Sequence, residues 1–241
     1  MKSVLIIGGN SDIGFSIAKV FAKNKFDIHL ASRNLKQMKI KKTYIDNNFG
    51  TNCKISFFDL SDRKIVTNFL QNINISPNVL IYCAGFFQKN EENVSDLINV
   101  NFSYPVYFIE LFLKKFIRQG SLKTIIGISS VAGEVGKMKN NIYSASKSGF
   151  TNYLDGLRQR LYQKNINVIS VKPGWVKTKM VKNLKLPEIL LCNSDYVGLK
   201  VYDAFLLKKN TIFVPGIWFL IILFYKFIPE IFFKFINKNK Y

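Results

Sequence analysis

Seven short apolar segments recur along the first 214 residues and alternate with segments of helical periodicity. The strand-like segments read SVLIIG, DIHLAS, CKISFFD, NVLIYCAG, KTIIGISS, NVISVKPG and TIFVPG, and the helical segments span 13–24, 35–48, 62–72, 92–119, 144–164 and 194–207. Most of the strand-like segments are continuously apolar, which is typical of parallel strands with helices on both faces. This alternation predicts an α/β fold, with a doubly wound parallel sheet in one domain of residues 1–214.

The composition agrees with one folded α/β domain. The chain has 241 residues, of which 48% are hydrophobic, enough for a full core and too apolar for a disordered chain. Three widely spaced cysteines, Cys53, Cys83 and Cys192, form no metal-binding pair, so we expect reduced thiols, no metal site and a cytoplasmic location. We expect no targeting segment, because Met1, Lys2 and Ser3 lead directly into the first strand-like run.

The net charge of +20 favours an anionic partner, although a lysine-rich composition bias would produce the same value. The lysines are scattered, and the sequence shows no nucleic-acid-binding module. We therefore expect no nucleic-acid partner. A membrane surface is the better functional interpretation, because the carboxyl-terminal segment described below points the same way.

Ligands of doubly wound sheets bind at the carboxyl ends of the strands. The residues that follow the predicted strands are therefore the candidate binding residues. They are Gly8 to Gly14, Ser32, Arg33, Asp59, Leu60, Ala84, Gly85, Ser129, Ser130, Pro173 and Gly174. Glycine, hydroxyl and charged residues predominate among them, which indicates a nucleotide site.

The segment YSASK carries the strongest chemical signal. Tyr143 and Lys147 are four residues apart and therefore share one face of the predicted helix. A free tyrosine has a pKa near ~10, and a neighbouring lysine cation lowers it, so the pair would exchange protons near neutral pH. Ser130 ends the strand before this helix and would bond a carbonyl oxygen, and Asn101 lies on an earlier helix.

With its motifs in this order, the chain resembles the short-chain dehydrogenases/reductases from residue 3 to about residue 214. The glycine loop comes first, followed by Asp59, by CAG after the fourth strand and by NVNF with Asn101. ISSVAG with Ser130, then YSASK and KPGWVKTKM, complete the set. The resemblance implies a Rossmann-type fold and an NAD(P)-dependent oxidoreductase that acts on a ketone or an alcohol.

The resemblance also implies a role for each of four catalytic residues. Tyr143 would protonate the ketone, Lys147 would lower the tyrosine pKa and bind the nicotinamide ribose, and Ser130 would hold the carbonyl oxygen. Asn101 would support a water that relays protons to Lys147. The cofactor-binding residues implied are Gly8, Asn10, Ser11, Asp12, Ile13, Gly14, Ser32, Arg33, Asp59, Leu60, Ala84, Gly85, Tyr143, Lys147, Pro173, Gly174, Val176 and Thr178.

Two motifs depart from the family pattern, the glycine loop at one residue and the segment after the fourth strand at two. Its glycine loop has a middle glycine where this chain has Asp12, and we expect Asp12 to cap a helix that begins at Ile13, with its carboxylate turned away from the phosphates. Ser11 and the N–H groups near Ile13 would then face the cofactor. After the fourth strand, Tyr82 and Cys83 replace a pair of asparagines that is common in the family, which would change how side chains brace the sheet.

The end of the second strand, LASRN, bears on the choice of cofactor. An acidic residue there would bind the ribose hydroxyls of NAD and repel a 2′-phosphate. Arg33 stands there instead, with Lys36 close by, so we predict a preference for NADPH, with NAD still usable. The alternative is that Arg33 is a solvated loop cation. By the family resemblance, Asp59 would contact the adenine, and Val176 and Thr178 the carboxamide.

The chain has a single histidine, His29, inside the second strand. One histidine in this position builds neither a Ser–His nucleophilic triad nor a metal site with the scattered cysteines. We therefore interpret His29 as a buried or edge residue with a satisfied hydrogen bond.

A hydrophobic extension, residues 215–241, ends the sequence. Residues 212–225 carry no charge, but a bilayer-spanning helix needs about 20 apolar residues, and the next apolar segment is interrupted by Pro229, Glu230 and Lys234. The pattern favours a helical pair in the membrane interface, with terminal lysines on anionic headgroups, on the inner face of the cytoplasmic membrane. The alternative is a helix packed over the domain or in a dimer interface.

The extension, the GGNSDIG loop and KPGWVKTKM are similar to those of decaprenylphosphoryl-2-keto-ribose 2-reductases within the family. That resemblance implies reduction of a lipid-linked keto-sugar. The alternatives are a lipid ketone, such as a 3-ketosphingoid base or a 3-oxoacyl chain, and, from another class, a non-catalytic nucleotide-binding sensor or scaffold. We also expect a homo-oligomer, formed through the helices near Asn101 and Tyr143.

Overall fold

The computed structural model describes residues 2–74, 76–88, 92–136, 140–178, 188–229 and 231–232. Its strands are β1 (Ser3–Ile7), β2 (Asp27–Ser32), β3 (Cys53–Phe57), β4 (Val79–Tyr82), β5 (Thr124–Ile128), β6 (Asn167–Pro173), β7 (Trp175–Lys177), β8 (Leu191–Asn193) and β9 (Thr211–Val214). All but β7 and β8 form one parallel sheet in the order β3-β2-β1-β4-β5-β6-β9. This order confirms the predicted Rossmann-type sheet.

The helices connect the strands and cover both faces of the sheet. They are α1 (Asp12–Lys23), α2 (Leu35–Phe49), α3 (Arg63–Gln71), α4 (Val94–Ile98), α5 (Tyr104–Phe116), α6 (Asn141–Leu161), α7 (Ser194–Leu206) and α8 (Ile217–Phe227). Ile6 of β1 belongs to one core layer, with Phe21 of α1 and Val201 of α7. Leu5 belongs to the opposite layer, with Phe108 of α5. This alternation within one strand explains why the strand sequences are apolar at every position.

The position of β1 creates the binding crevice. Val4 pairs with Ile28 of β2 on one side and with Val79 of β4 on the other. The chain thus leaves β1 in one direction, builds β2 and β3, and returns to the opposite side of β1 to begin β4. At such a reversal the loops at the carboxyl ends diverge and leave room for a ligand.

The long helix predicted over 92–119 is interrupted. It consists of α4, a π-helical turn at Asn99–Ser103, α5 and a short 3₁₀ turn at Ile117–Gln119. Hydrophobic periodicity does not reveal a single wide turn, because the residues on either side continue the same apolar stripe. The helix predicted over 144–164 also begins earlier, at Asn141.

A small second sheet joins β7 and β8, with Trp175 opposite Leu191 and Val176 opposite Cys192. These two strands were not predicted, because three residues are too few for a periodic signal. The sheet lies directly after Gly174 and therefore extends the carboxyl edge of β6.

His29 has the structural role predicted for it. Its Nε2 lies 2.8 Å from the Ser56 hydroxyl on the neighbouring strand β3. Burial, with a smaller contribution from the Lys54 charge, lowers the pKa of His29 to about 4. The imidazole is therefore neutral over the physiological range and serves the β2–β3 pairing.

Helix α8 begins three residues after β9 ends and packs one face on the domain, burying Trp218 and Ile222. This contact agrees in part with the alternative of a helix packed over the domain. No helix in the described part of the chain is long and apolar enough to cross a membrane. The second half of the predicted membrane-interface pair falls mostly on residues outside the described ranges.

Candidate active site

The loop between β1 and α1 places glycines where the backbone is crowded. Gly8 has a φ of +83°, and a Cβ there would lie 2.5 Å from the Ala84 backbone nitrogen at the end of β4. A Cβ on Gly14 would lie 2.6 Å from the Gly8 carbonyl oxygen. Both positions therefore require glycine, and the loop turns tightly into the start of α1, as a phosphate-binding loop does.

Ser11, and not Asp12, caps helix α1. Ser11 has extended backbone angles, and its Oγ accepts a hydrogen bond from the Gly14 N–H at 2.9 Å. Asp12 is already the first residue of the helix, so the prediction that Asp12 is the cap was wrong. Both residue types are good caps, and the serine one position earlier satisfies the third helical amide. Asp12 still suits the positive end of the helix dipole.

The Ser11 hydroxyl is engaged inside the loop. It donates to the Gly8 carbonyl oxygen at 2.9 Å and lies 3.4 Å from the Cys83 Sγ. Cys83 is one of the two residues that depart from the family's asparagine pair. Its thiol braces the glycine loop against the end of β4, while the neighbouring Tyr82 turns to the opposite core layer and packs on Phe150. The bracing therefore persists with different chemistry.

A lysine cation lies beside the glycine loop. Lys41 of α2 donates from its Nζ to the Asn10 carbonyl oxygen at 2.6 Å, and the Asn10 amide donates to Gln37 at 2.6 Å. Arg33 is exposed just after the end of β2, and Lys36 is exposed in the first turn of α2. Sequence analysis named Lys36 and missed Lys41, because Lys41 is 31 residues from Asn10 and only the packing of α2 against the loop brings them together.

The predicted adenine-side residues surround the ends of β2 and β3. Asp59 is partly buried and accepts hydrogen bonds from the Ser61 N–H at 3.0 Å and the Ser61 hydroxyl at 2.8 Å. The Ser32 carbonyl accepts from the Phe58 N–H at 3.1 Å, and Leu60 packs against the core layer of α5. These residues line the same strand edge as the glycine loop.

The π-helical turn positions Asn101. Its side chain is buried and bonds the backbone of Phe86 twice: Oδ1 accepts from the N–H at 3.0 Å, and Nδ2 donates to the carbonyl at 2.7 Å. A Cβ on Gly85 would lie 3.4 Å from Asn101 Oδ1 and 3.4 Å from Lys147 Nζ. The amide and the ammonium therefore both lie beside Gly85, in the loop after β4. Such single wide turns occur often at functional sites.

The end of β5 is fastened to helix α6. The Ser129 hydroxyl donates to the Lys147 carbonyl at 3.0 Å, and a Cβ on Gly133 would lie 2.8 Å from the Lys147 carbonyl carbon. Ser130, between them, is extended, and its Oγ accepts from the Ala132 N–H at 3.1 Å. These contacts fix the serine opposite the first turns of α6.

Tyr143 hydrogen-bonds Ser130, and its ring packs edge-on against Phe87 at 5.1 Å between centroids. Burial raises the pKa of Tyr143 above its usual value, and the Ser130 hydrogen bond opposes this only in part. The sequence predicted the opposite direction, with Lys147 lowering the tyrosine pKa. That prediction was wrong for this arrangement, because desolvation of the phenolate outweighs the stabilisation that the neighbouring groups supply.

Lys147 is buried, with its Nζ 3.3 Å from the Ile128 carbonyl oxygen and 6.0 Å from the Tyr143 ring centre. Burial lowers the pKa of Lys147 to about 8. The lysine therefore changes charge close to neutral pH. The structure thus brings together all four residues predicted as catalytic: Asn101, Ser130, Tyr143 and Lys147.

A family model described as short chain dehydrogenase matches residues 2–188. The chain belongs to this family. As a short-chain dehydrogenase/reductase it is an NAD(P)-dependent oxidoreductase, and the family resemblance drawn from the motifs is confirmed. The match covers the glycine loop and all four of the converging residues.

Two relatives with similar sequences support the same family assignment. Carbonyl reductase family member 4 of Xenopus laevis is 27% identical over 192 residues, which are 76% of this chain and 79% of the relative. The 3-oxoacyl-(acyl-carrier-protein) reductase of Chlamydia trachomatis is 28% identical over 192 residues, which are 76% of this chain and 77% of the relative.

Solved structures share the fold. The bulky-bulky ketone specific alcohol dehydrogenase from Comamonas testosteroni has a TM-score of 0.79 at 22% identity, covering 89% of this chain and 86% of that one. A short-chain dehydrogenase from Sphingobium yanoikuyae, in complex with NADPH, has a TM-score of 0.77 at 22% identity, covering 89% and 88%.

The remaining predicted cofactor residues of this short-chain dehydrogenase follow β6. Pro173 ends the strand, Val176 is buried in β7, and Thr178 is partly buried just beyond it. Gly174 makes a contact that the sequence did not predict: a Cβ there would lie 1.8 Å from Nε1 of Trp218 in helix α8. The carboxyl-terminal helix thus reaches the edge of the site.

Glu134 is a second residue that sequence analysis missed. Its carboxylate, 10% exposed, lies 2.5 Å from the Nζ of Lys172 and 3.0 Å from that of Lys226. Burial alone would raise the pKa of Glu134, but hydrogen bonds from the two lysines outweigh it and the pKa is lowered. No motif marks this residue, because its partner Lys226 is 92 residues away in the sequence.

Proposed function

We propose that this dehydrogenase is an NADPH-dependent ketone reductase in which Asn101, Ser130, Tyr143 and Lys147 form the catalytic group. The convergence of these side chains carries the proposal: Tyr143 hydrogen-bonds Ser130, and Asn101 and Lys147 both lie beside Gly85. Ser130 and Tyr143 would hold the substrate carbonyl oxygen between two hydroxyls. The hydride itself comes from the nicotinamide when the cofactor is bound.

The raised pKa of Tyr143 keeps the phenol protonated at neutral pH, as a proton donor in the reductive direction must be. A phenol that remains protonated at neutral pH has a proton to give to the oxygen as negative charge develops there. Ser130 would donate a second hydrogen bond to the same oxygen. Lys147, charged below a pKa of about 8, would stabilise the phenolate that Tyr143 becomes, and Asn101 would orient a water toward the lysine.

The residues present fit a nicotinamide dinucleotide. The close approach of Gly8 to Ala84 leaves backbone at the start of α1 available for a pyrophosphate. No acidic residue ends β2, and Arg33 is exposed there with Lys41 nearby on α2. Two cations and no carboxylate favour a 2′-phosphate, so we propose that NADPH is preferred over NADH.

For the substrate, we propose a ketone carried on a long apolar chain. Helix α8, whose inner face touches Gly174, exposes large apolar side chains on its outer face, including Phe224 at 68% and Phe227 at 78%. An apolar surface beside the site suits a peripheral position on the inner face of the cytoplasmic membrane. A polyprenyl-phosphate keto-sugar is the first candidate. A 3-oxoacyl chain is the second, favoured by the relative named as a 3-oxoacyl reductase.

A substrate screen with the purified chain in detergent tests this proposal. NADPH oxidation would be followed with a polyprenyl-phosphate 2-keto-pentose, a 3-ketosphingoid base, a 3-oxoacyl thioester and a small water-soluble ketone. Turnover of one long-chain substrate, with a kcat/KM well above that of the small ketone, is the expected result. Equal kcat/KM for all four would contradict the substrate class, and cofactor binding without any turnover would contradict the reductase.

The formation of a homo-oligomer through the helices near Asn101 and Tyr143 stays a prediction.

A further inference from the structure

Helix α8 has two different faces. Trp218 and Ile222 on the inner face are 3% and 4% exposed, whereas Phe219 and Leu223, each one residue further on, are 51% and 43% exposed. A helix on the surface of a soluble domain ordinarily has a polar outer face. Both faces of α8 are apolar: the inner one packs on the domain, whereas on the outer one Phe219 meets the Phe213 ring and the large side chains stay mostly exposed.

The inner face contacts both sides of the candidate active site. Trp218 fills the space beside Gly174 and meets Trp175 edge-on, with ring centres 5.3 Å apart. Trp218 and Ile222 also pack with Val131, the residue that follows Ser130. A single helix thus connects the catalytic serine segment with the segment after β6.

Glu134 connects the Ser130 segment, the segment after β6 and helix α8 through ion pairs. It follows Ser130 by four residues and ends the 3₁₀ turn Val131–Glu134. Its partner Lys172 comes directly before Pro173 and Gly174, and its other partner Lys226 lies on α8. Glu134 and Lys172 are about nine-tenths buried, so this ion pair is little screened by solvent and has a defined geometry.

We infer that Glu134 is a positioning residue for the reduction: together with the inner face of α8, it holds the Ser130 segment in register with the segment after β6. The inference rests on the proposed reductase activity. Displacement of the serine hydroxyl relative to Tyr143 would lower the rate of the chemical step, because proton donation and oxyanion stabilisation depend steeply on placement. NADPH affinity would change far less than the rate, because only the carboxamide contacts follow β6, whereas the glycine loop and Arg33, which would hold the phosphates, lie on the other side of the crevice.

A matched pair of truncations on one helix turn tests the inference. Ile222→Ala removes an inner contact, and Leu223→Ala removes the same number of carbons from the outer face. With a small soluble ketone and saturating NADPH, we expect Ile222→Ala to lower kcat about tenfold, and Leu223→Ala to stay within about twofold of the unmodified protein. Affinity for NADPH, measured by its fluorescence, should stay within about twofold in both.

The ion pairs are tested separately. Glu134→Asp shortens the side chain but keeps its charge, and we expect about tenfold loss of kcat, because the carboxylate no longer reaches both lysines. Lys226→Met leaves the buried Glu134–Lys172 pair intact, folds without an unpaired buried charge, and should lower kcat by about twofold to threefold. Melting temperatures ensure that every assay is made on folded protein.

Equal kcat for Ile222→Ala and Leu223→Ala would overturn the inference. So would a loss that appears only as weaker NADPH binding or as unfolding, since those results describe a purely structural contact. Failure of the proposed function is distinguishable, because the unmodified protein would then turn over no ketone at all.

Discussion

Lys147 is the residue whose charge responds most directly to pH in the candidate site. Burial lowers its pKa to about 8, so the ammonium is present below that pH and is lost as pH rises through it. The pKa of Tyr143 is raised, so the phenol still holds its proton over the same range. The charge that stabilises the tyrosinate therefore disappears before the proton donor does.

We expect kcat/KM for ketone reduction to fall as pH rises through about 8, the pKa of Lys147. The measurement is a pH–rate profile in the reductive direction at saturating NADPH. Lys147→Arg is the control, because a guanidinium stays charged throughout this range and its residual activity should lack the fall. The same fall in the arginine variant would assign the titration to another group.

We propose that Arg33 selects NADPH over NADH. Removing a charge-assisted hydrogen bond to a phosphate costs about 1.5–3 kcal/mol, so Arg33→Ala should raise the KM for NADPH by roughly tenfold to a hundredfold. The KM for NADH should change little. Steady-state kinetics with both cofactors measure this, and Lys39→Ala, at an exposed lysine of α2 outside the proposed site, serves as the control. Equal losses for NADPH and NADH would show that Arg33 does not contact the 2′-phosphate.

At the scale of elements, the cap of α1 shows how a correct motif leads to a wrong local assignment. Ser11 and Asp12 are adjacent good caps, and the sequence pattern does not choose between them. Ser11 is the cap in the structure, because the loop after Gly8 brings its hydroxyl oxygen to 2.9 Å from the Gly14 amide nitrogen, which donates a hydrogen bond to it.

Ser11→Ala should therefore destabilise the protein by about 1 kcal/mol, since the Gly14 amide loses its cap. Asp12→Asn should cost less, about 0.3–1 kcal/mol, because the asparagine keeps the shape of the side chain and removes its favourable charge at the helix start. Urea denaturation of both variants measures the difference. A larger loss for Asp12→Asn would return the cap to Asp12.

The strands and most helices could be predicted because their signals are local. Continuous apolar runs identify strands covered on both faces, and the order of the motifs identifies Tyr143 and Lys147. The wide turn at Asn101 and the three-residue strand Trp175–Lys177 could not be predicted, because neither changes the hydrophobic period. Glu134 and Lys41 could not be predicted because their contacts join segments that are distant in the sequence.

At the scale of the whole molecule, a net charge of +20 accompanies helix α8, whose outer apolar face is largely exposed. Apolar contact and attraction to anionic headgroups act together at a membrane surface. Either feature alone has ordinary explanations, such as composition bias for the charge. Their combination gives the membrane proposal its physical basis.

The double variant Phe224→Ser/Phe227→Ser tests that proposal. Each phenylalanine contributes about 1.5–3 kcal/mol when fully buried, so loss of both should weaken binding to vesicles containing phosphatidylglycerol by about a hundredfold or more. Co-sedimentation with vesicles measures it, and turnover of a small soluble ketone should remain unchanged as the control. Unaltered vesicle binding would remove α8 from the membrane contact.

The central claim is that Tyr143 donates the proton in an NADPH-dependent ketone reduction. The most direct measurement is NADPH oxidation with the best ketone of the screen, comparing the unmodified protein with Tyr143→Phe, which keeps the ring packed against Phe87. We expect kcat to fall by about 10²–10⁴-fold while NADPH affinity stays within about twofold. Undiminished turnover in Tyr143→Phe would contradict it.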